Sequence, residues 1–206
     1  METERLVARD RERSWRDEVF KRRGTLLALP AVSLAVLGKP SPQSIAFGLP
    51  VAFAGEALRC WAVGYSGVTT RSDRVEAPQL TTGGPYAHVR NPLYVGNFLT
   101  ALGFAIAFTG GDEPAKRNAL IAAGLGTMLA VYATIIPLEE AYLRQTFGAD
   151  FDDYVARVPS ILPRLSPSRP EWGTYDAGVI VKAETRTFVT FGVMLGALAL
   201  KALRVR

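Results

Sequence analysis

The sequence predicts an all-α polytopic membrane protein, with about five transmembrane helices and a polar pocket facing the cytoplasm. Three observations carry this. Apolar residues make up 49% of the 206 residues while charged ones still reach 21%, and mean hydropathy is +0.13. Both fractions fit one chain only if the apolar residues are gathered into blocks. Residues 91–111 and 118–138 are such blocks, each 21 residues without a charge, long enough for a helix to cross ~30 Å of hydrocarbon. Polar clusters then stand at matching ends of the two runs, Tyr86, Arg90 and Asn91 before the first and Glu139-Glu140 after the second.

The first 23 residues hold eight Lys or Arg interleaved with six Asp or Glu. Such a mixture reads as a solvated helix leading into the membrane, not as a presequence or secretory signal, and its acids count against nucleic-acid binding. Trp15, Val19 and Phe20 are expected to seat its end at the interface. Residues 24–38 and 40–55 are shorter uncharged runs parted by Lys39-Pro40-Ser41-Pro42, a strong breaker, and read as a helical hairpin closing near residue 66. From Gly67 to Asn91 the chain is turn-rich, with Thr69-Thr70, Asp73, Glu76-Ala77-Pro78 and Thr81-Thr82-Gly83-Gly84, which predicts irregular backbone.

Asn91-Pro92 opens the third span, Asn as N-cap and Pro as first helical residue, and Gly110-Gly111 closes it. After an outer turn at Asp112-Glu113-Pro114, the fourth span begins near Ala115. It is expected to outrun the membrane through Glu139-Glu140, to kink at Pro137, and to stop at Gly148. A short helix from Asp150 to Arg157 follows, then an extended stretch set by Pro163, Pro167 and Pro170. Residues 187–200 are the last span, in which Gly192 and Gly196 have the spacing that lets membrane helices approach closely. The organisation is one domain, 1–206, with a head at 1–23, the hairpin at 24–66, a core at 67–163 and a tail at 164–206.

Placing the N-terminus in the cytoplasm puts seventeen basic residues inside against six outside, which fits the positive-inside rule. Cys60 is the only cysteine and His88 the only histidine, so neither an internal disulfide nor a His- or Cys-rich metal site is expected. Gly124-Leu125-Gly126 lies inside an uncharged run with no strand before it and reads as helix packing.

The polar residues admit two readings each. Arg90, just before a helix start, is either an interfacial arginine reaching headgroups or an anion clamp aided by the helix dipole. Tyr86 and Tyr94 are belt residues, or aromatic faces around a cation. Glu139 and Glu140 sit where a helix dipole already repels anions. They are solvated there, or they hold an amine or sugar hydroxyl. Glu56 and Arg59, three apart, read as an ion pair within the second span.

Gly84-Pro85-Tyr86 with Val89-Arg90-Asn91-Pro92-Leu93-Tyr94-Val95-Gly96 resembles the signature of the isoprenylcysteine carboxyl methyltransferase and phospholipid methyltransferase superfamily. Glu139-Glu140-Ala141-Tyr142-Leu143, Phe147-Gly148, Tyr154 and Val158-Pro159 resemble its closing block, and Gly55-Glu56-Ala57-Leu58-Arg59 the segment before the signature. The resemblance covers roughly residues 50–163. It implies an integral membrane enzyme using S-adenosylmethionine, with a lipophilic acceptor drawn from the bilayer. Carried over by position, Leu80, Thr81, Gly84, Tyr86, Arg90, Asn91, Pro92, Tyr94, Glu139 and Glu140 are expected at the cofactor, with Arg90 and Glu139 at the reacting centre.

Two positions depart from that pattern. The signature's histidine is Asn91 here. The arginine that the prenylcysteine enzymes carry four residues before the first glutamate is Ile135, an apolar wall suited to a neutral or amine-bearing acceptor. Arg59 is the arginine that could replace it toward the substrate. A sterol-reductase-like enzyme using NADPH and a non-enzymatic membrane transporter or scaffold are the other readings the sequence leaves open.

Overall fold

The computed structural model describes residues 2–67 and 79–204, with side chains from Trp15 onward except Asp17. The turn-rich stretch at residues 68–78, including Thr69-Thr70, Asp73 and Glu76-Ala77-Pro78, lies outside them. The described residues form no strand. They build α1 (Glu2–Leu37), α2 (Pro42–Ser66), a 3-10 turn (Gly84–Ala87), α3 (Pro92–Thr109), α4 (Pro114–Phe147), α5 (Ala149–Arg157) and α6 (Gly178–Arg204).

Helix starts follow the local chemistry. Ser41 caps α2 reciprocally with Ser44, each side chain accepting from the other's backbone N–H at 3.1 and 3.0 Å, and Pro42 occupies the first turn, where a missing N–H is harmless. Pro92 does the same for α3. Asn91 holds the N-cap position, yet its side chain makes no capping bond, contrary to expectation. It is spent elsewhere, as described below. Gly148 ends α4 at φ 53°, donating to the Arg144 carbonyl at 3.0 Å, a conformation that an L side chain adopts only under strain.

Four helices, α2, α3, α4 and α6, are long and apolar enough to cross a membrane. The C-terminal half of α1 packs beside them, chiefly against α4. Phe20 packs with Met128, Tyr132 and Ile135 of α4. At the other end Lys116 donates to the Leu37 carbonyl at 2.5 Å, and Lys201 to those of Val36 and Gly38 at 2.8 and 2.7 Å. Phe20 to Leu37 covers about 25 Å at the helical rise, yet among the described residues only four helices are apolar enough to cross, where the sequence predicted about five, and α1 is not one of them. These two lysines also satisfy carbonyls that a helix end would otherwise leave without partners. The 34 residues of α4 reach roughly 51 Å, so the helix outlasts the hydrocarbon and carries Glu139 to Phe147 toward water.

The tightest seam joins α2 to α3. A Cβ on Gly48 would lie 2.4 Å from the Gly103 carbonyl, and one on Gly103 2.3 Å from the Ala52 nitrogen. Backbones meet here because side chains are absent, and the close approach gains dispersion contacts that lipid cannot offer. Gly55 and Gly96 repeat the contact nearer the site. The spacing at Gly192 and Gly196 misled the sequence reading, for nothing lies within 4 Å of a Cβ at either. That face of α6, with Val189 and Val193 exposed beside it, meets no other helix among the described residues. The helix also begins at Gly178, well before residue 187, so Lys182, Glu184 and Arg186 belong to its first turns.

Candidate functional site

The signature loop, the start of α3 and the end of α4 meet at one end of the bundle. Consecutive residues on a helix point about 100° apart, and this separates the two glutamates. Glu140 turns to Arg90, which donates through Nε and Nη2 to its two oxygens at 3.0 and 3.2 Å. Glu139 turns to Tyr94, whose hydroxyl donates to Oε1 at 2.7 Å.

The Arg90–Glu140 pair is the larger assembly. Nη1 of Arg90 donates to the carbonyls of Val155 and Val158 at the end of α5. Asn91 donates to Glu140 at 3.3 Å and to the carbonyl and hydroxyl of Ser160 at 3.2 and 3.1 Å, and the Ser160 hydroxyl donates to Glu140 at 3.2 Å. The carboxylate clamped by Arg90 is therefore a residue of this chain. A bidentate, charge-assisted contact of this kind fixes geometry as well as energy, and it locks the signature loop to α4 and α5. Backbone bonds continue the tie: Arg90 N–H donates to the Pro159 carbonyl and Asn91 N–H to that of Ser160, at 2.9 and 3.2 Å.

Glu139 is held differently. It is half-buried, and its second oxygen takes no hydrogen bond from the described residues. Tyr94 leans on Tyr132, their rings 4.4 Å apart, so an aromatic wall stands against the carboxylate. The charge of Arg23, on α1, is felt at both Glu139 and Tyr94; sequence reasoning missed this residue. Tyr86 completes the group. Burial pushes its pKa up to about 12, Glu139 adds to the rise, and a hydrogen bond with Ser66 works against it. Tyr86 is thus a neutral phenol at physiological pH. Its carbonyl accepts from the Tyr154 hydroxyl at 2.8 Å, and burial raises the pKa of Tyr154 as well.

The remaining expected residues serve the frame. Leu80 is buried with Phe151, Tyr154 and Val158, under the loop rather than at an open surface. Gly84, at φ 56°, lies under the Tyr65 ring, which a Cβ would meet at 2.3 Å. Thr81 sits beside Gly173, and Pro92 is buried at the first turn of α3. Ile135 is fully buried with Phe20, Met128, Val131 and Tyr132. It packs the α1–α4 core and presents no wall to an acceptor. Arg59 is equally engaged. Its Nη2 donates to both oxygens of Glu184 at 2.9 and 2.7 Å, and to Thr187 at 3.3 Å, while Nη1 donates to Asn97. Glu56 is 3.9 Å away. The ion pair expected at Glu56 is thus chiefly one with Glu184, which sequence reasoning overlooked because Glu184 lies 125 positions from Arg59 and outside the expected last span.

Which ligand does this donor set suit? A half-open carboxylate accepts from an ammonium or a sugar hydroxyl, and tyrosine faces attract a compact cation such as a sulfonium. S-adenosylmethionine carries all three, so the residues fit it. Among the described residues no three His, Cys, Asp or Glu are grouped to hold a metal.

Residues 44–150, just over half the chain, match the family described as phospholipid methyltransferase. That stretch holds α2, the signature loop, α3 and α4, and stops before Ser160. The chain is 38% identical over 96 residues to the nickel-cobalt-cadmium resistance protein NccN of Alcaligenes xylosoxydans xylosoxydans, covering 47% of this chain and 41% of that protein. It is 31% identical over 122 residues to protein-S-isoprenylcysteine O-methyltransferase B of Arabidopsis thaliana, covering 57% of this chain and 58% of that one. With the protein-S-isoprenylcysteine O-methyltransferase of Schizosaccharomyces pombe it shares 32% over 115 residues, 54% and 46% of the two chains. The chain spans about half the length of these curated relatives. No solved structure matches it.

Proposed function

The chain belongs to the phospholipid methyltransferase family, and on that premise we propose that it transfers a methyl group from S-adenosylmethionine to a lipophilic acceptor taken from the bilayer. The observation that carries this reading is Glu139, a half-buried carboxylate fixed through one oxygen by Tyr94 and free of hydrogen bonds from the described residues at the other, with the Tyr94 and Tyr132 rings beside it. The cofactor supplies an electrophilic methyl on a cationic sulfonium. Glu139 accepts from its amine or ribose hydroxyls, and the faces of Tyr86 and Tyr94 balance the positive charge without competing as nucleophiles. Methyl transfer of this kind needs alignment and exclusion of water more than a covalent side chain.

Arg90 acts as a positioning residue in this account. By holding Glu140, it fixes the loop that carries Tyr86 against the helix that carries Glu139. Arg59, engaged by Glu184, Thr187 and Asn97, offers no free cation to an acidic acceptor, which supports an acceptor that is neutral or carries an amine. The seventeen-to-six distribution of basic residues supports a cytoplasmic N-terminus. The cofactor then enters from the cytoplasmic water and the acceptor laterally from the leaflet.

Calorimetry of the detergent-solubilised protein tests the cofactor. S-adenosylmethionine is expected to bind and NADPH not to. Binding of NADPH without S-adenosylmethionine overturns the reading in favour of a reductase, and binding of neither in favour of a non-enzymatic role.

A further inference from the structure

Residues 158–176 carry no spanning helix, yet they are fastened along the bundle's end. Arg164 N–H donates to the His88 carbonyl at 3.0 Å and Ser168 N–H to that of Ala87 at 2.9 Å; the Trp172 carbonyl accepts from Thr82 and Gly83, both at 2.9 Å. Asp176 N–H donates to Gly64 at 2.8 Å, and Tyr175 lies against Gly64 and Tyr65. These anchors are the last turn of α2 and the residues just before α3. The strap therefore lies at the level where those helices leave the hydrocarbon.

Two leucines on this fixed strap point away from the protein. Leu162 is 80% and Leu165 99% exposed. Fraying does not explain them, because Arg164 between them is pinned by its backbone bond and by Nη1 to the Arg157 carbonyl at 2.8 Å. Trp172 and Tyr175 are also partly exposed, at 38% and 50%, and amphipathic aromatics favour the headgroup level. The exposed guanidinium groups of Arg164 and Arg169 make no ion pair among the described residues. Within residues 158–176 these two arginines stand beside the exposed leucines, while the two acids, Glu171 and Asp176, lie toward the α6 end.

Apolar tips, aromatic flanks and unpaired cations at the membrane boundary share one complement. We propose that the strap is a bilayer-seating wedge: Leu162 and Leu165 insert into the interfacial layer of the leaflet on the site's side, and Arg164 and Arg169 bind anionic lipid phosphates above it. Leucine burial in hydrocarbon is favourable, and basic residues near an anionic surface are drawn to it. Because the same strap is hydrogen-bonded to Thr82, Ala87 and His88, its seating sets the depth at which the signature loop meets lipid. This inference does not rest on methyl transfer.

The test places an environment-sensitive fluorophore at position 165, through Leu165→Cys in a Cys60→Ser background. The full chain is reconstituted in phosphatidylcholine vesicles with about one quarter phosphatidylglycerol. The expected result is blue-shifted emission, quenched more by a doxyl group high on the acyl chain than by one near its end. Adding Arg164→Gln and Arg169→Gln is expected to remove about half of that quenching. Emission like that of the free probe in buffer overturns the wedge. So does a shielded probe that doxyl lipids leave untouched, which would mark a protein contact. Quenching unchanged by the two arginine substitutions overturns the headgroup half of the proposal.

Discussion

Arg59 on α2 and Glu184 on α6 form a buried ion pair, the arginine's Nη2 lying 2.9 and 2.7 Å from the two carboxylate oxygens across 125 positions of sequence. The contact joins the last helix, which lies beyond the family-matched stretch, to the tightest seam of the core. Asn97 of α3 shares the same guanidinium, so three helices meet on one cation. Glu184→Ala leaves that cation without its principal partner in a low-dielectric interior. The expected loss is about 3–5 kcal/mol, by the cost of breaking a buried pair, read as a lowered unfolding temperature in detergent. Replacing both members by leucine is expected to be milder. Equal damage from the double replacement would show that the pair's charges were not the issue.

A second consequence concerns Arg90 and Glu140. If their role is to hold the loop against α4, removing either does the same harm. Arg90→Ala and Glu140→Ala are expected to weaken S-adenosylmethionine binding by similar factors, and the double variant little further, a coupling of about 1–3 kcal/mol in a double-mutant cycle. Additive losses would mean that Arg90 touches the cofactor itself.

Glycines separate a real seam from an apparent one. Gly103→Leu forces a side chain into the α2 backbone, and strain of about 1–3 kcal/mol or more is expected. Gly196→Leu projects into open space and is expected to leave the unfolding temperature within a degree or so, gaining slightly in helix propensity. Paired thermal scans check this. A large loss at Gly196 would reveal a partner helix on that face.

Topology is testable with cysteines. In a Cys60→Ser background, Thr81→Cys and Gln145→Cys are expected to react with a membrane-impermeant maleimide only when the cytoplasmic side is exposed. Labelling of the two from opposite sides would separate the signature loop from the end of α4.

The spans at 91–111 and 118–138 were legible because an uncharged run of membrane length has few other uses. Pro92 and Gly148 marked helix ends for equally local reasons. The site was legible as a set of residues, but its pairing was not. Glu139 and Glu140 read as one cluster in a string of letters, and only the helical rotation sends one to Tyr94 and the other to Arg90. Ser160 and Glu184 were missed because their partners lie far away in sequence, at Asn91 and Arg59, and Arg23 because the carboxylate that feels its charge, Glu139, is equally distant. Gly192 and Gly196 show the converse fault. Spacing identifies a smooth face, and says nothing of whether another helix comes to it.

The central claim is that Glu139, presented by Tyr94, holds the methyl donor. The most direct measurement follows label from S-adenosylmethionine into a neutral or amine-bearing lipid extract, comparing wild type with Glu139→Gln and Tyr94→Phe. The amide cannot accept from an ammonium with a full charge, so binding is expected to weaken by about 1.5–3 kcal/mol, the worth of a charged hydrogen bond, and transfer to fall at least in proportion. Tyr94→Phe, which frees the carboxylate without removing it, is expected to lie between the two. Transfer by Glu139→Gln at the wild-type rate and affinity would contradict the account.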